Sequence, residues 1–126
     1  MVKIVGAAVA VAVLGWSGLA HAEGDPAAGE KVFKRCQACH AVGENAKNKV
    51  GPVLNGVVGR EIAAVEDFRY STAFEEKAAE GFTWTEENLA GYLQDPRSFI
   101  PKNKMSFAGL RQDDQIADVI AYLKQY

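Results

Sequence analysis

The chain has 126 residues, enough for a single domain, with 48% apolar residues and a formal net charge of −2 at neutral pH. This length excludes multidomain enzymes, repeat arrays and multi-span membrane proteins. The negative charge, without interleaved basic and aromatic residues, argues against nucleic acid as a partner. After residue 22, only 23 of 104 residues are Leu, Ile, Val or Phe, so a domain this small needs more than its own side chains to complete a core.

Residues 1–22 have the pattern of a cleaved secretory signal. Lys3 gives a basic start, residues 4–14 are an unbroken run of apolar residues and glycine, and an A-x-A cleavage pattern ends at Ala22. The apolar run is shorter than the roughly 20 residues that a membrane-spanning helix needs. We therefore predict a leader over residues 1–22, a single domain over residues 23–126, and a periplasmic location without stable membrane insertion. An uncleaved membrane anchor is the alternative.

A first helix is predicted at the start of the domain, where Asp25 fits an N-cap and Pro26 the first helical position. We expect this helix to run to about Cys36. Over residues 41–69 no helical period lasts, and glycines punctuate the segment, which predicts loops. A short helix is predicted over residues 71–80, stopped by the glycine that follows it.

Two further helices are predicted near the C-terminus. Residues 83–86 fit a capping box that begins with Thr83 and opens a helix reaching Gln94, where Asp95 and Pro96 end it. The last helix carries one apolar stripe, formed by Ile116, Val119, Ile120 and Leu123. No convincing strand pattern occurs in the sequence, so the predicted fold class is all-α with long loops.

Both cysteines fall in the segment Cys36-Gln37-Ala38-Cys39-His40, a C-x-x-C-H pattern typical of c-type haem attachment. Thiols at this spacing can add to the two vinyl groups on one edge of haem, and the His40 imidazole can then reach the iron. A thioredoxin-like site would need a βαβ setting, and a structural zinc site would need four ligands. A disulfide within the motif closes too small a loop to stabilise a domain. We therefore predict one haem c, covalently bound through Cys36 and Cys39.

Met105 is the candidate for the second axial position of the iron. His21 leaves with the predicted leader, and Met105 is then the only methionine in the chain. Lys102 and Lys104 would have to lose a proton before binding iron, whereas a thioether needs no deprotonation and raises the potential. The alternative is that Met105 fills the core, as a lone methionine commonly does. Its place just after Pro101 is a poor context for a core residue.

Further short motifs extend over residues 24–126. They are Gly29, Phe33, Gly51-Pro52-Val53-Leu54, Gly56-Val57-Val58-Gly59-Arg60, Phe82-Thr83-Trp84, Tyr92-Leu93, Asp95-Pro96, Ile100-Pro101, Lys104-Met105-Ser106-Phe107-Ala108-Gly109 and Ile120-Ala121-Tyr122-Leu123. With these motifs and the C-x-x-C-H segment, the chain resembles class I cytochromes c, most closely bacterial cytochromes c2 of the short-loop, mitochondrial-like kind. The resemblance implies a few helices and long loops wrapped around one covalently bound haem, with His40 and Met105 as the iron ligands.

The resemblance also implies roles for residues beside the two iron ligands. The Pro52 carbonyl would accept a hydrogen bond from the free ring nitrogen of His40 and so fix its tautomer. The Tyr92 hydroxyl would bond the Met105 sulfur. Phe74 departs from the family pattern, because this position is usually polar and tied to a buried water. We therefore expect the local hydrogen-bond network to differ from that of the family.

A further group of residues would contact the haem periphery. By resemblance, Tyr70 and Trp84 would donate to a buried propionate, with Arg60 nearby offsetting its charge. Phe107 would cover one side of the haem near its exposed edge. Asn103 stands where the family often has a threonine bonding the second propionate, and we expect it to contact that propionate.

The charge of the chain is distributed unevenly, with +5 over residues 31–60, −7 over residues 61–95 and +4 over residues 96–111. Such blocks predict a strong dipole and an oriented approach to partners. The basic residues expected around the haem edge are Lys34, Arg35, Lys47, Lys49, Arg97, Lys102 and Lys104.

The function implied by the resemblance is a soluble, monomeric, one-electron carrier rather than an enzyme. It would take electrons from a quinol–cytochrome c oxidoreductase and pass them to a terminal oxidase, a photosynthetic reaction centre or a denitrification reductase, docking through its basic face. Two alternatives stay open. One is an enzyme or gas-binding haem protein with Met105 displaced from the iron, and the other is a carrier tethered by its leader.

Overall fold

Five helices joined by long loops make up the described part of this computed structural model, which comprises Ala10 and residues 23–126. The helices are α1 (Pro26–Phe33), α2 (Thr72–Ala79), α3 (Glu86–Gln94), α4 (Pro96–Phe99) and α5 (Asp113–Leu123). Within these residues, the only β-type pairing is an isolated bridge between Glu61 and Thr83. The predicted all-α class with long loops is confirmed. Apart from Ala10, the predicted leader lies outside the described residues.

None of the helices in the described residues is both long enough and apolar enough to cross a membrane.

Helix α1 begins as predicted but ends earlier. The Asp25 carboxylate accepts from the backbone N–H of Ala27 at 3.0 Å, and Pro26 occupies the first turn. The helix stops at Phe33 rather than near Cys36, because the amides of the next residues bond carbonyls three positions back, as in 3₁₀ geometry. Turns then continue to Cys39. The C-x-x-C-H segment therefore lies on tight turns and not on a regular helix end.

The start of α3 differs from the predicted capping box. Thr85, not Thr83, is the N-cap, and its hydroxyl oxygen accepts from the backbone N–H of Asn88 at 3.1 Å. Thr83 instead pairs with Glu61 in the isolated bridge, and the N-cap falls two residues further on. The prediction was wrong by two residues because two threonines compete for the same role and only the tertiary pairing decides between them.

Helix α4 was not predicted. Asp95 ends α3 and also caps α4, since its carboxylate accepts from the backbone N–H of Ser98 at 3.2 Å and from the Ser98 hydroxyl at 2.8 Å. These hydrogen bonds hold the pKa of Asp95 below its usual value. The sequence Asp-Pro therefore does two things here: it breaks one helix and starts the next.

The packing of α1 against α5 joins the two ends of the domain. Gly29 lies so close to α5 that a Cβ built on it would be 1.9 Å from the Asp118 carbonyl oxygen and 2.8 Å from the Cβ of Tyr122. One turn later, the rings of Phe33 and Tyr122 lie 5.3 Å apart between centroids. The predicted apolar stripe of α5 is buried along its whole length.

Replacing Gly29 with alanine should lower the free energy of unfolding of the haem-bound protein by about 2–3 kcal/mol, because the two helices must separate to admit the methyl group. Denaturant unfolding followed by far-UV circular dichroism measures the change. Lys31→Ala, at an exposed position on the same helix, is the matched control and should change stability by less than about 0.5 kcal/mol. Equal stabilities of the Gly29 variant and the parent would contradict the close contact.

Candidate haem site

An apolar cavity of about 240 Å³ opens among residues of α1, α2, α3, α5 and the connecting loops. Its apolar wall includes Phe33, Leu54, Val57, Leu89, Leu93, Val119 and Leu123. The predicted site residues on the wall are Cys36, Cys39, His40, Pro52, Arg60, Tyr70, Trp84, Tyr92, Met105 and Phe107. Residues that are far apart in sequence thus meet at one cavity, and among the predicted site residues only Asn103 is not on its wall.

His40 is held in one orientation by its neighbours. Its Nδ1 lies 2.8 Å from the carbonyl oxygen of Pro52, so Nδ1 carries the proton and Nε2 is left with a free lone pair. Burial lowers the pKa of His40; the Pro52 contact opposes this shift, and the charges of Lys49 and Arg60 add to it. A Cβ on Gly51 would lie 2.4 Å from the imidazole ring, so only glycine fits there. The result is a neutral imidazole available to a metal.

Cys36 and Cys39 are not joined in a disulfide, and both are half-buried on the cavity wall. The turn that carries them is closed by the amides of Cys39 and His40, which donate to the Cys36 carbonyl oxygen at 3.1 and 2.9 Å. Burial raises the pKa of the Cys36 thiol, and the nearby charge of Arg35 partly opposes this. The two sulfurs therefore stand beside the apolar space, at the spacing that addition to the two haem vinyl groups requires.

Met105 lies on the cavity wall with a hydrogen-bond donor beside its sulfur. The Tyr92 hydroxyl donates to Met105 Sδ at 3.7 Å. Burial raises the pKa of Tyr92, so its hydroxyl keeps its proton at any physiological pH. The thioether is thus oriented by a neutral donor rather than by packing alone.

Two polar groups on the wall have capacity left for an anionic ligand. Arg60 donates through Nη1 to the carbonyl oxygens of Asn55 and Val53 at 3.0 and 3.3 Å, but its buried Nε has no partner among the described residues. The Tyr70 hydroxyl accepts from the backbone N–H of Val65 at 3.1 Å and still has its own proton to donate. A buried N–H without a partner is costly, so this corner fits a carboxylate such as a haem propionate.

Trp84, the second predicted propionate donor, is buried at the same wall. Its ring lies 5.9 Å from that of Phe74, which is also 6.0 Å from the Tyr70 ring and nearly parallel to it. The position that departs from the family pattern is therefore filled by an aromatic ring within a cluster of aromatic rings.

Asn103 differs from its expected role. Its side-chain amide donates to the carbonyl oxygens of Pro96 and Ile100, both at 2.9 Å, and its Oδ1 accepts from the backbone N–H of Met105 at 2.8 Å. The amide makes all three bonds because it has two donor hydrogens and an acceptor oxygen, whereas a threonine hydroxyl has a single donor hydrogen. The Asn103 side chain therefore bonds backbone groups of its own turn and does not line the cavity.

One contact at the cavity rim was missed by the sequence analysis. The Arg35 guanidinium lies over the Phe107 ring, 5.4 Å from its centroid, as in a cation–π pair. Val50, also on the rim, is 80% exposed. No local signal could have paired Arg35 with Phe107, because they belong to distant segments that meet only in the fold.

These features define a class of protein: a helical domain with two thiols, a neutral imidazole and a thioether around one apolar cavity holds haem by covalent attachment. Comparisons with known proteins agree. Residues 26–126 match the family model for cytochrome c. Cytochrome c2 of Rhodospirillum rubrum is 49% identical over 94% of this chain and 93% of its own length.

Cytochrome c2 of Afifella marina is 49% identical over 79% of this chain and 81% of its own length. The solved structure of cytochrome c2 from Rhodospirillum centenum superposes with a TM-score of 0.77, at 43% identity, over 81% of this chain and 98% of that one. The chain therefore belongs to the cytochrome c family, as a class I member of the bacterial cytochrome c2 type. It is an electron-carrying haem protein with one haem c, attached through Cys36 and Cys39.

Proposed function

We propose that this protein is a periplasmic one-electron carrier whose haem iron is bound by His40 on one side and Met105 on the other. The observation that carries the proposal is the shared wall of one cavity, on which both side chains stand with Cys36 and Cys39. Bound there, haem c supplies a reversible Fe(III)/Fe(II) couple. Because both axial positions would be filled by side chains, the iron would have no open position for a substrate, which favours a carrier over an enzyme.

The surrounding residues would tune this couple. The Met105 thioether favours the reduced iron, and the Tyr92 donor would withdraw electron density from the sulfur and strengthen that preference. Arg60, whose Nε has no partner in the described part of the chain, would offset the charge of a buried propionate. If these contacts persist in both oxidation states, reorganisation would be small when the electron moves.

Partner docking would take place at the cavity rim. Arg35 and Lys104 lie on that rim, and the predicted basic residues Lys34, Lys47, Lys49, Arg97 and Lys102 are all exposed. A quinol–cytochrome c oxidoreductase would be the donor, and an oxidase, a reaction centre or a denitrification reductase the acceptor, each presenting acidic groups. Such contacts between redox partners are small and short-lived, so steering by charge matters more than buried area.

Charge reversal at the rim tests this docking face. Arg35→Glu should slow reduction by a purified quinol–cytochrome c oxidoreductase about tenfold at low ionic strength, because it reverses the steering field at the haem edge. Stopped-flow absorbance measures the bimolecular rate, and the difference should shrink as salt rises. Lys77→Glu on α2 changes the net charge equally and should alter the rate less than about twofold. Equal effects of the two variants, or a rate independent of salt, would contradict the proposed face.

Export rests on residues 1–22 and on the chemistry of haem attachment to C-x-x-C-H in bacteria, which takes place outside the cytoplasm. The mature form would be a monomer beginning at Glu23. Mass spectrometry of protein purified from a bacterial periplasm should give the mass of residues 23–126 plus one haem. A mass that includes the leader would instead favour the tethered alternative.

A further inference from the structure

We infer that Asn103 is a positioning residue that fixes the loop carrying Met105 and thereby sets how readily its sulfur gives up the sixth position of the iron. The inference rests on the proposed His40 and Met105 ligation and concerns the regulation of that same site.

The side chain of Asn103 uses all its polar atoms within the loop. Its Nδ2 donates to the carbonyl oxygens of Pro96 and Ile100, and its Oδ1 accepts from the backbone N–H of Met105. The three distances are between 2.8 and 2.9 Å, which are ordinary lengths for strong hydrogen bonds. One half-buried amide therefore joins both ends of α4 to the residue that bears the sulfur.

The backbone of this loop makes few hydrogen bonds of its own. Among the described residues, the backbone amides of residues 101–109 make a single bond to a backbone acceptor, from Asn103 N–H to the Ile100 carbonyl at 3.3 Å. Pro101 has no N–H to give, and both Pro101 and Lys102 are exposed. The side chain of Asn103 thus supplies more hydrogen bonds to the segment than its backbone does.

The loop also carries backbone strain. Lys102 has φ +65°, in the left-handed region that residues other than glycine, asparagine and aspartate seldom adopt. Such a conformation persists only where neighbouring contacts hold it. Because Asn103 is the next residue and bonds on both sides of Lys102, removing its amide would release the strain and let Met105 move away from the cavity.

Imidazole binding to the ferric protein tests the inference. Imidazole competes with Met105 for the iron, and loss of the far-red methionine–iron(III) absorption follows the exchange. We expect the dissociation constant for imidazole to fall about tenfold in Asn103→Ala, because the lost hydrogen bonds stabilised the closed loop. The dissociation constant of Asn103→Ser should lie between those of Asn103→Ala and the parent, since a serine hydroxyl can still accept from the Met105 amide.

The matched control is Asn88→Ala. Its amide also donates to a backbone carbonyl, that of Thr83 at 2.8 Å, but it makes no hydrogen bond to residues 101–109 among the described residues. This variant should lower the midpoint of denaturant unfolding and leave the dissociation constant for imidazole unchanged. An unchanged constant in both Asn103 variants would overturn the inference.

A second outcome would overturn it in favour of the family-like role. If Asn103 bound a propionate, Asn103→Ala would change the pH dependence of the reduction potential and leave imidazole binding as in the parent. Absence of the far-red methionine–iron(III) absorption from the parent protein would have a different meaning. That result would contradict the Met105 ligation itself and therefore the proposed function.

Discussion

Replacing Met105 with alanine is expected to lower the reduction potential by on the order of 0.2 V, within the roughly 0.8 V range over which axial ligands shift haem potentials. The thioether stabilises the reduced iron, so its loss favours the oxidised form. The haem should stay attached, because Cys36 and Cys39 are untouched. Spectroelectrochemical titration gives the potential, and the far-red methionine–iron(III) band should vanish.

Ser106→Ala is the control for this prediction, since it alters an exposed side chain on the same loop and leaves the sulfur in place. Reduced Met105→Ala should bind carbon monoxide rapidly, whereas the reduced parent should bind it slowly. An unchanged potential in the variant would exclude Met105 as a ligand. Rapid binding of carbon monoxide by the parent would favour the gas-binding or enzymatic alternative.

Replacing both Cys36 and Cys39 with alanine should abolish the native fold along with haem attachment. The cavity measures about 240 Å³, and at roughly 24 cal/mol per Å³ leaving it empty costs about 6 kcal/mol. Small domains have only about 5–15 kcal/mol of total stability. Without haem, the chain is therefore expected to lack a cooperative unfolding transition. Circular dichroism during a denaturant titration measures this, and haem staining after denaturing electrophoresis reports covalent attachment.

Ala38→Ser lies between the two cysteines at an exposed position and should keep both the haem and the fold, which makes it the matched control. A compact Cys36→Ala/Cys39→Ala chain with a sharp unfolding transition would show that the protein core is sufficient by itself. It would also refute the suggestion, made from the low content of large apolar residues, that the cofactor completes the core.

The parts of the fold that could be predicted are those coded by neighbouring residues. The N-cap at Asp25 and the apolar stripe of α5 follow from a few adjacent positions, and both are as predicted. The end of α1 and the N-cap of α3 could not be placed. The end of α1 depends on a change to tight turns over residues 34–36, which no residue type in that stretch marks, and the N-cap of α3 depends on pairing with a distant segment. In the second case a bridge to Glu61 takes Thr83 away from its expected role and leaves Thr85 to cap the helix.

The candidate site divides in the same way. The C-x-x-C-H segment is local and chemically distinctive, so residue types and spacing are enough to indicate covalent haem attachment. Met105 stood out because no other methionine remains after the predicted leader. The backbone contacts of Asn103 could not be foreseen, since the sequence shows an amide but not the three backbone groups within its reach. Only the folded turn brings them together.

The packing of α1 against α5 affects the order in which haem attachment and folding take place. The backbone N–H of Asp25 bonds the carboxylate of Asp118 at 2.8 Å, across 93 residues of sequence. A contact this distant forms late and slowly, because a long loop must close before any gain is made. In a chain that is made or exported N-terminus first, α1 therefore cannot pack against α5 until Asp118 is available. Until then, the cysteine segment stays accessible to the haem-attachment machinery. We expect haem attachment to precede the packing of α1 against α5, so that folding then buries the attached haem.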